Sequence, residues 1–358
     1  MDTKMASWKS TGTYVDVVPP PGMNKVDGMW IFRVKRPLGS PPAFKARYVA
    51  RGFSQRQGVD IFQTFSTTSK MTTLRVLLHI AAQRDYKLHS LDFITALLKG
   101  SLHEEICVID TIALNWHDTL RTTLVTLGFA PSTAGPSLFL RTDTLLPPFY
   151  VLMYVDDLVF ATADTEALAL VKSELQKRHT CTDLGALRSY LGLQVTLDRA
   201  RRTIILTYHS LSALPLDESV EPSGPYPELV VCLMYLMTCT RPDLAYPLSI
   251  LALYVAPGRH RLEHWEAAKS VLHYLCGTLG MGLVLGGWGP VVLTRHVDVS
   301  WVDDLATQQF SQGYTFSLGS GSVSWQSTCS SSVLSSSCEA EIYAGAMPQK
   351  SYAGSPTC

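Results

Sequence analysis

Two apolar runs, Phe149–Tyr154 and Leu158–Phe160, close around an adjacent pair of acids, Asp156 and Asp157. Runs this apolar on both sides of a double charge fit a buried hairpin, with the strands in a core and the acids held at the bend. A second acid-bearing stretch, Lys87–Phe93, reads as a strand and carries Asp92 near its end. Two like charges side by side at a cleft are costly unless a cation balances them. On spacing alone the alternative is a polar turn, with Asp92 capping a helix that follows.

The rest of the chain can support such a core. Its 358 residues suffice for two or three domains, and 46% of them are hydrophobic. Lys plus Arg and Asp plus Glu are both 30, so the formal net charge is zero and contact with nucleic acid must come from local patches. No apolar run approaches the ~20 residues needed to cross a bilayer, and the longest, from Leu229 to Met237, reads as a buried element. The first residues have no apolar core of signal-peptide length, so the expectation is an intracellular protein, cytoplasmic or nuclear, without a membrane partner. Cysteines have no C-x-x-C spacing and read as reduced thiols, with disulfides as the alternative.

Along the chain, residues 1–27 are polar and end in a Pro-Pro-Pro-Gly run, as a linker or disordered lead-in would. From Trp30 to Phe53 two strand-like runs flank a Gly/Ser/Pro turn, with basic residues Arg33, Lys35, Arg36, Lys45, Arg47 and Arg51 and no acid. Leu74, Leu77, Leu78 and Ala81 recur at helical spacing, as do Ala167, Leu168, Val171 and Leu175. Residues 198–228 lack steady periodicity and read as an irregular connection. A helix over 263–276 carries Ala268, Leu272, Leu275 and Cys276 on one face and stops at Gly277; residues 290–326 alternate like strands around a Gly319-Ser320-Gly321 turn. Ser336 and Glu339 form a capping-box pattern that opens a last helix.

Tyr154-Val155-Asp156-Asp157 resembles the active-site motif of reverse transcriptases. Together with KARYVARGFSQRQGVDIFQTFS, TTLRVLLHIAAQRDYKLHSLDF and the stretch from Thr240 to Leu283, it makes the chain similar to the polymerase region of copia-type retrotransposon polyproteins, from about Trp30 to Gly345. The resemblance implies an α+β fold: right-hand polymerase fingers and palm over 28–215, a thumb- or connection-like helical segment over 216–288, and a truncated ribonuclease H-like domain over 289–358. It implies an RNA-directed DNA polymerase that uses two magnesium ions, with manganese as an alternative, a primer-template and deoxynucleoside triphosphates. Asp92, Asp156 and Asp157 would be the catalytic, metal-holding carboxylates. Lys45 and Arg47 would meet the triphosphate, with a solvated basic hairpin as the alternative. The backbone at Phe93, together with Leu97 and Tyr154, would border the substrate. Asp298 and Glu341 match the first two acids of the ribonuclease H-like domain.

Departures from the family pattern shape the expectation of activity. The segment between Glu105 and Leu120 is shorter than in the family, and so is the one between Leu206 and Tyr226. Leu97 stands where an aromatic residue screens the sugar 2′-position, with Thr95 in place of an asparagine. The chain ends before the later ribonuclease H acids, so no such activity is expected. Impaired polymerization follows as an expectation, and the rival reading is a non-catalytic remnant or a nucleic-acid-binding protein.

Overall fold

The computed structural model describes residues 28–35, 43–51, 69–94, 110–142, 147–208, 225–300 and 311–329. The fold is α+β, built on antiparallel sheets. A hairpin of β1 (Gly28–Lys35) and β2 (Ala43–Ala50) forms a sheet by itself. Its register places Trp30, Phe32 and Val34 opposite Tyr48, Ala46 and Phe44 on one face, and pairs the backbone of Arg33 with that of Lys45.

Helix α1 (Met71–Gln83) leads into β3 (Lys87–Phe93). Then come α2 (Asp110–Thr126), β4 (Ala130–Ser132), β5 (Gly135–Arg141), β6 (Phe149–Tyr154), β7 (Asp157–Thr162), α3 (Thr165–Arg178) and β8 (Cys181–Ala186). Six strands make the main sheet in the order β4-β5-β6-β7-β3-β8, so β7 and β3, distant in sequence, are central neighbours. Strand alternation divides its residues between two cores. Leu91, Phe93, Phe149, Val151, Met153, Leu158 and Phe160 pack under α2 and α3 with Trp116, Leu120 and Leu175. Leu88, Leu152, Val159 and Ala161 face α1 on the opposite side.

Asp164 starts α3 by accepting from the amides of Glu166 and Ala167 at 3.0 and 2.9 Å, the usual use of a short acid at a helix N-terminus. The inner face of α3 is not purely apolar. Lys172 is buried there and donates to Asp183 at 2.6 Å and to His89 Nδ1 at 2.8 Å, so the ammonium is satisfied. Burial, with the Lys172 charge beside it, holds the His89 imidazole below its usual pKa.

A second sheet, β12-β11-β10-β9, covers the α1 side with β9 (Ser189–Tyr190), β10 (Leu193–Asp198), β11 (Thr203–Tyr208) and β12 (Leu283–Gly286). Part of the irregular connection expected over 198–228 is thus a strand. Ile204 and Leu206 alternate inward in TIILTY, a stretch too short to stand out beside the polar residues around it. Because β12 pairs with β11 at Ile204↔Leu285, the helices between them leave this sheet and return to it. Those helices are α4 (Tyr226–Cys239), a 3₁₀ turn at Pro242–Leu244, α5 (Ala245–Ala252) and α6 (Leu262–Gly277), which share a core of Tyr226, Leu233, Leu248, Leu272 and Leu275. Cys276, expected on the inner face, is exposed. One residue is a 100° turn of the helix, and Leu275 already fills the buried position.

Three last strands, β13 (Leu293–Ser300), β14 (Ser311–Leu318) and β15 (Gly321–Cys329), form a meander whose β14–β15 turn lies where Gly319 and Ser320 were expected to make one. The meander packs on α1 and α5. This explains why α1 buries Arg75 and His79 beyond its predicted apolar stripe.

Candidate active site

The acids Asp92 and Asp157 are cross-strand partners on the central pair β3 and β7. Directly opposed residues bring their Cβ atoms to roughly 5 Å. Since Leu91 and Phe93 point under α2 and α3, Asp92 points to the other face; the same parity sends Asp157 there, opposite Tyr154 of β6. The apolar flanks thus fix which way the acids face. A one-residue slip would bury the carboxylates under α2 and α3.

The β6–β7 connection is the two-residue turn Val155-Asp156. Val155 sits at φ 55°, left-handed backbone that a β-branched residue rarely adopts and that costs on the order of 1–3 kcal/mol. Two bonds hold it. The Trp116 indole N–H of α2 donates to the Val155 carbonyl at 2.9 Å, and the Phe93 amide donates to the Asp156 carbonyl at 2.9 Å. Trp116 is fully buried and packs edge-on against Phe93 at 5.0 Å and His179 at 5.5 Å. Trp116→Phe is expected to weaken the fold by about 1–3 kcal/mol, read by urea unfolding. Whatever chemistry the turn supports should fall further than that loss explains, because the freed turn no longer fixes Asp156.

Electrostatics mark the same place. The carboxyl of Asp157 is pushed up to about 6, first by burial and then by the charges of Asp92 and Asp156. All three acids therefore act on one point. Among the described residues no Lys or Arg makes an ion pair with Asp92 or Asp157, and no three His, Cys, Asp or Glu side chains already form a closed metal cage. Oxygen donors carrying uncompensated charge suit a hard divalent cation; Asp92 and Asp157 offer it opposed carboxylates, and Asp156 can join from the turn.

The remaining sequence-derived candidates are distributed around this point. Tyr154 is half-buried on the acids' side of the sheet. Phe93 contributes its amide to the turn, while its ring belongs to the opposite core. Lys45 and Arg47 have backbone positions on β2, across from Arg33 and Ile31. Leu97, Thr95 and Glu341 lie outside the described residues, as does the helix expected after Ser336. Asp298 is exposed on β13 opposite Gly313, beside a cavity of about 420 Å³ that Asp243 and Tyr246 also line.

Sequence reasoning missed the pieces that approach Asp157 from the second sheet. A cavity of about 510 Å³ opens between Asp157, Ser90 and the β9–β10 hairpin, lined also by Arg188, Tyr190 and Gln194. The turn of that hairpin is Leu191-Gly192, both at positive φ, and the Tyr235 hydroxyl of α4 donates to the Leu191 carbonyl at 2.6 Å. Gly192 was the available signal, a glycine between two strand-like runs.

Comparison with known proteins decides the family. The model of the family described as reverse transcriptase (RNA-dependent DNA polymerase) matches residues 11–115 and 111–213, more than half of the chain. The chain belongs to the reverse transcriptase family. Its relatives place it with copia-type elements. It is 29% identical over 401 residues to the retrovirus-related Pol polyprotein from transposon TNT 1-94 of Nicotiana tabacum, covering 96% of this chain and 30% of the relative. It is 31% identical to the Pol polyprotein from transposon RE2 of Arabidopsis thaliana, covering 90% of this chain and 25% of the relative, and 30% identical to that from transposon RE1 of the same plant, covering 91% and 25%. This reverse transcriptase-family chain thus spans about a quarter to a third of the length of those polyproteins. Among its described residues no helix is long and apolar enough to cross a membrane.

Proposed function

We propose that the chain derives from an RNA-directed DNA polymerase that extends a primer 3′-hydroxyl at Asp92, Asp156 and Asp157. The observation that carries this reading is the opposition of Asp92 and Asp157 across central strands, with Asp156 on a strained, doubly held turn. Asp92 and Asp156 would hold a pair of magnesium ions, with manganese as a substitute, and Asp157 would support them. Bound there, the ions supply activation of the attacking hydroxyl and neutralization of the triphosphate. The chain itself places the acids on one face, keeps their turn rigid and surrounds it with apolar packing that limits water. Lys45 and Arg47, on a strand paired in register with Arg33 and Ile31, would meet the triphosphate, and Tyr154 and Leu97 would border the nucleotide. Cations opposite developing negative charge lower the barrier to phosphoryl transfer.

In this reading β1 and β2 belong to the fingers, the six-stranded sheet is the palm, and α4–α6 form a reduced thumb or connection. The meander β13–β15 would belong to a ribonuclease H-like domain carrying Asp298 and Glu341. Turnover is impaired relative to the family. In support, the family match falls in two pieces meeting at residues 111–115, inside the segment that reads as shortened. The alignment with the tobacco polyprotein runs over 401 residues against a chain of 358, so that relative carries residues this chain lacks. The test is template-directed incorporation of deoxynucleotides on an RNA template with magnesium; a folded sample that incorporates nothing would leave a remnant whose remaining activity is nucleic-acid binding.

A further inference from the structure

The turn between β10 and β11 concentrates positive charge. It runs Arg199-Ala200-Arg201-Arg202 behind Asp198, and Arg84 is exposed where α1 ends, next to Asp85. Arg199 pairs with Asp85, and Arg201 lies 3.8 Å from Asp198; both pairs are open to water and worth little. Arg202 pairs with no acid among the described residues. It donates to the Gln83 carbonyl at 2.7 Å and lies over the Trp288 ring, 4.9 Å from its centre. The turn therefore keeps cationic charge that the fold does not use.

Trp288 is 73% exposed, yet the backbone on both sides of it is fixed. The Gly287 amide donates to the Arg202 carbonyl at 2.8 Å, and the Gln83 side-chain amide donates to the carbonyls of Gly287 and Gly289 at 3.1 and 3.0 Å. Gly286 and Gly287 stand at φ 94° and 105°, and a Cβ on Gly286 would collide with the Arg202 carbonyl, so this close approach requires glycine. A large ring held this firmly while burying so little adds little to stability. One indole face rests on Arg202, and the exposure leaves the other open.

The place is apart from the three acids. Asp85 precedes β3 at the end away from Asp92, roughly 20 Å along the chain's strand direction. A partner that fits here offers a flat ring to the open indole face and negative charge to the guanidiniums beside it. A single nucleic-acid strand has both, since unpaired bases stack on aromatic rings while phosphodiesters meet cations. A duplex hides its base faces, and an acidic peptide brings the charge without the ring.

We propose that Trp288, Arg199, Arg201 and Arg202 form a binding surface for single-stranded nucleic acid, separate from the carboxylate site. One base stacks on the open face of Trp288, and Arg202 supports the indole from the other side. Phosphates flanking that base replace Asp85 and Asp198 as the partners of Arg199 and Arg201. The surface needs neither the three acids nor a metal, so it stands independently of the polymerase reading.

The test measures binding of the full chain to a fluorescein-labelled oligouridylate of about ten nucleotides by anisotropy. EDTA is present, so that no metal draws phosphate to Asp92, Asp156 and Asp157. Trp288→Ala should bind the strand about tenfold more weakly than wild type, the worth of one stacked base, with its melting temperature unchanged. Arg201→Gln, at a side chain 83% exposed, should lower the slope of log affinity against log salt by about 0.7, one phosphate contact. A blunt duplex of the same length should bind wild type and Trp288→Ala equally. If Trp288→Ala melts lower, Trp288→Phe decides: a ring that restores most of the affinity supports stacking, and one that restores none overturns it. Equal affinity of wild type and Trp288→Ala for the single strand overturns the proposal, as does an equal loss for strand and duplex or no binding of the strand by wild type. A polyglutamate peptide that loses affinity in Trp288→Ala while the single strand does not would assign the surface to a protein, and overturns it too.

Discussion

Arg75→Ala is expected to lower the unfolding free energy by about 3–5 kcal/mol, the largest loss of any single substitution argued from this fold. Arg75 lies on α1, 3% exposed, where its guanidinium faces backbone and an aromatic ring and pairs with no acid among the described residues. It donates to the carbonyls of Cys239 at 3.3 Å, Val323 at 2.8 Å and Thr238, and stacks on Trp325 with its central carbon 3.9 Å from the ring centre. Thr238 and Cys239 are in the last turn of α4, whose carbonyls have no partner within the helix and carry partial negative charge. One side chain thus closes the C-terminus of α4 and ties α1 to β15. Burial brings the guanidinium down to about 10, still far above neutral pH, so it remains a full set of donors. Trp325 continues the tie by donating to the Met237 carbonyl at 3.0 Å. Arg75→Lys should recover less than half of the loss, because an ammonium cannot reach three carbonyls through a planar fork. Urea unfolding followed by far-ultraviolet circular dichroism reads both values; a cost below about 1 kcal/mol for alanine would show that the meander does not brace α1.

The second large effect pairs a gain with a loss. Asp157→Asn should stabilize the fold while reducing polymerization by about a thousandfold, the worth of roughly 4 kcal/mol of charge stabilization. In the folded chain Asp157 holds its proton to about pH 6, whereas an unfolded aspartate releases it near 3.8. Stability from this group is therefore complete below about pH 4 and is lost as pH rises through about 6. With solvent screening allowed for, the penalty at pH 7 is about 1–2 kcal/mol, which asparagine removes. The melting temperature of the variant should exceed that of the wild type at pH 7 and match it near pH 4. Magnesium should stabilize the wild type more at pH 7 than at pH 5, where protons compete for Asp157. Equal melting temperatures at pH 7 would mean that the three acids do not crowd one another.

How much of this was legible in the sequence depends on how local each feature is. The β6–β7 hairpin could be read because its apolar runs and paired acids lie within fourteen residues, and α3 because Leu168, Val171 and Leu175 repeat at helical spacing. Direct opposition of Asp92 and Asp157 could not, since it depends on β3 pairing with a strand some seventy residues later. The placements of Trp116 and Tyr190 are non-local in the same way. Trp116 reads as one more apolar residue on α2 until Val155 is seen at its indole nitrogen, and Tyr190 as a strand residue until Asp157 appears across the cavity. Arg75 is the extreme case. A lone arginine in an amphipathic helix normally reads as solvated, and here two segments more than 160 residues away enclose it.

The most direct measurement is primer extension on an RNA template by the purified chain with magnesium, beside Asp156→Asn. That substitution keeps the turn and its two backbone bonds and removes one carboxylate charge. The account predicts template-directed incorporation by wild type, slow as the shortened segments imply, and none by the variant. Incorporation unchanged in the variant would contradict it, because the product would then be made somewhere other than at Asp92, Asp156 and Asp157.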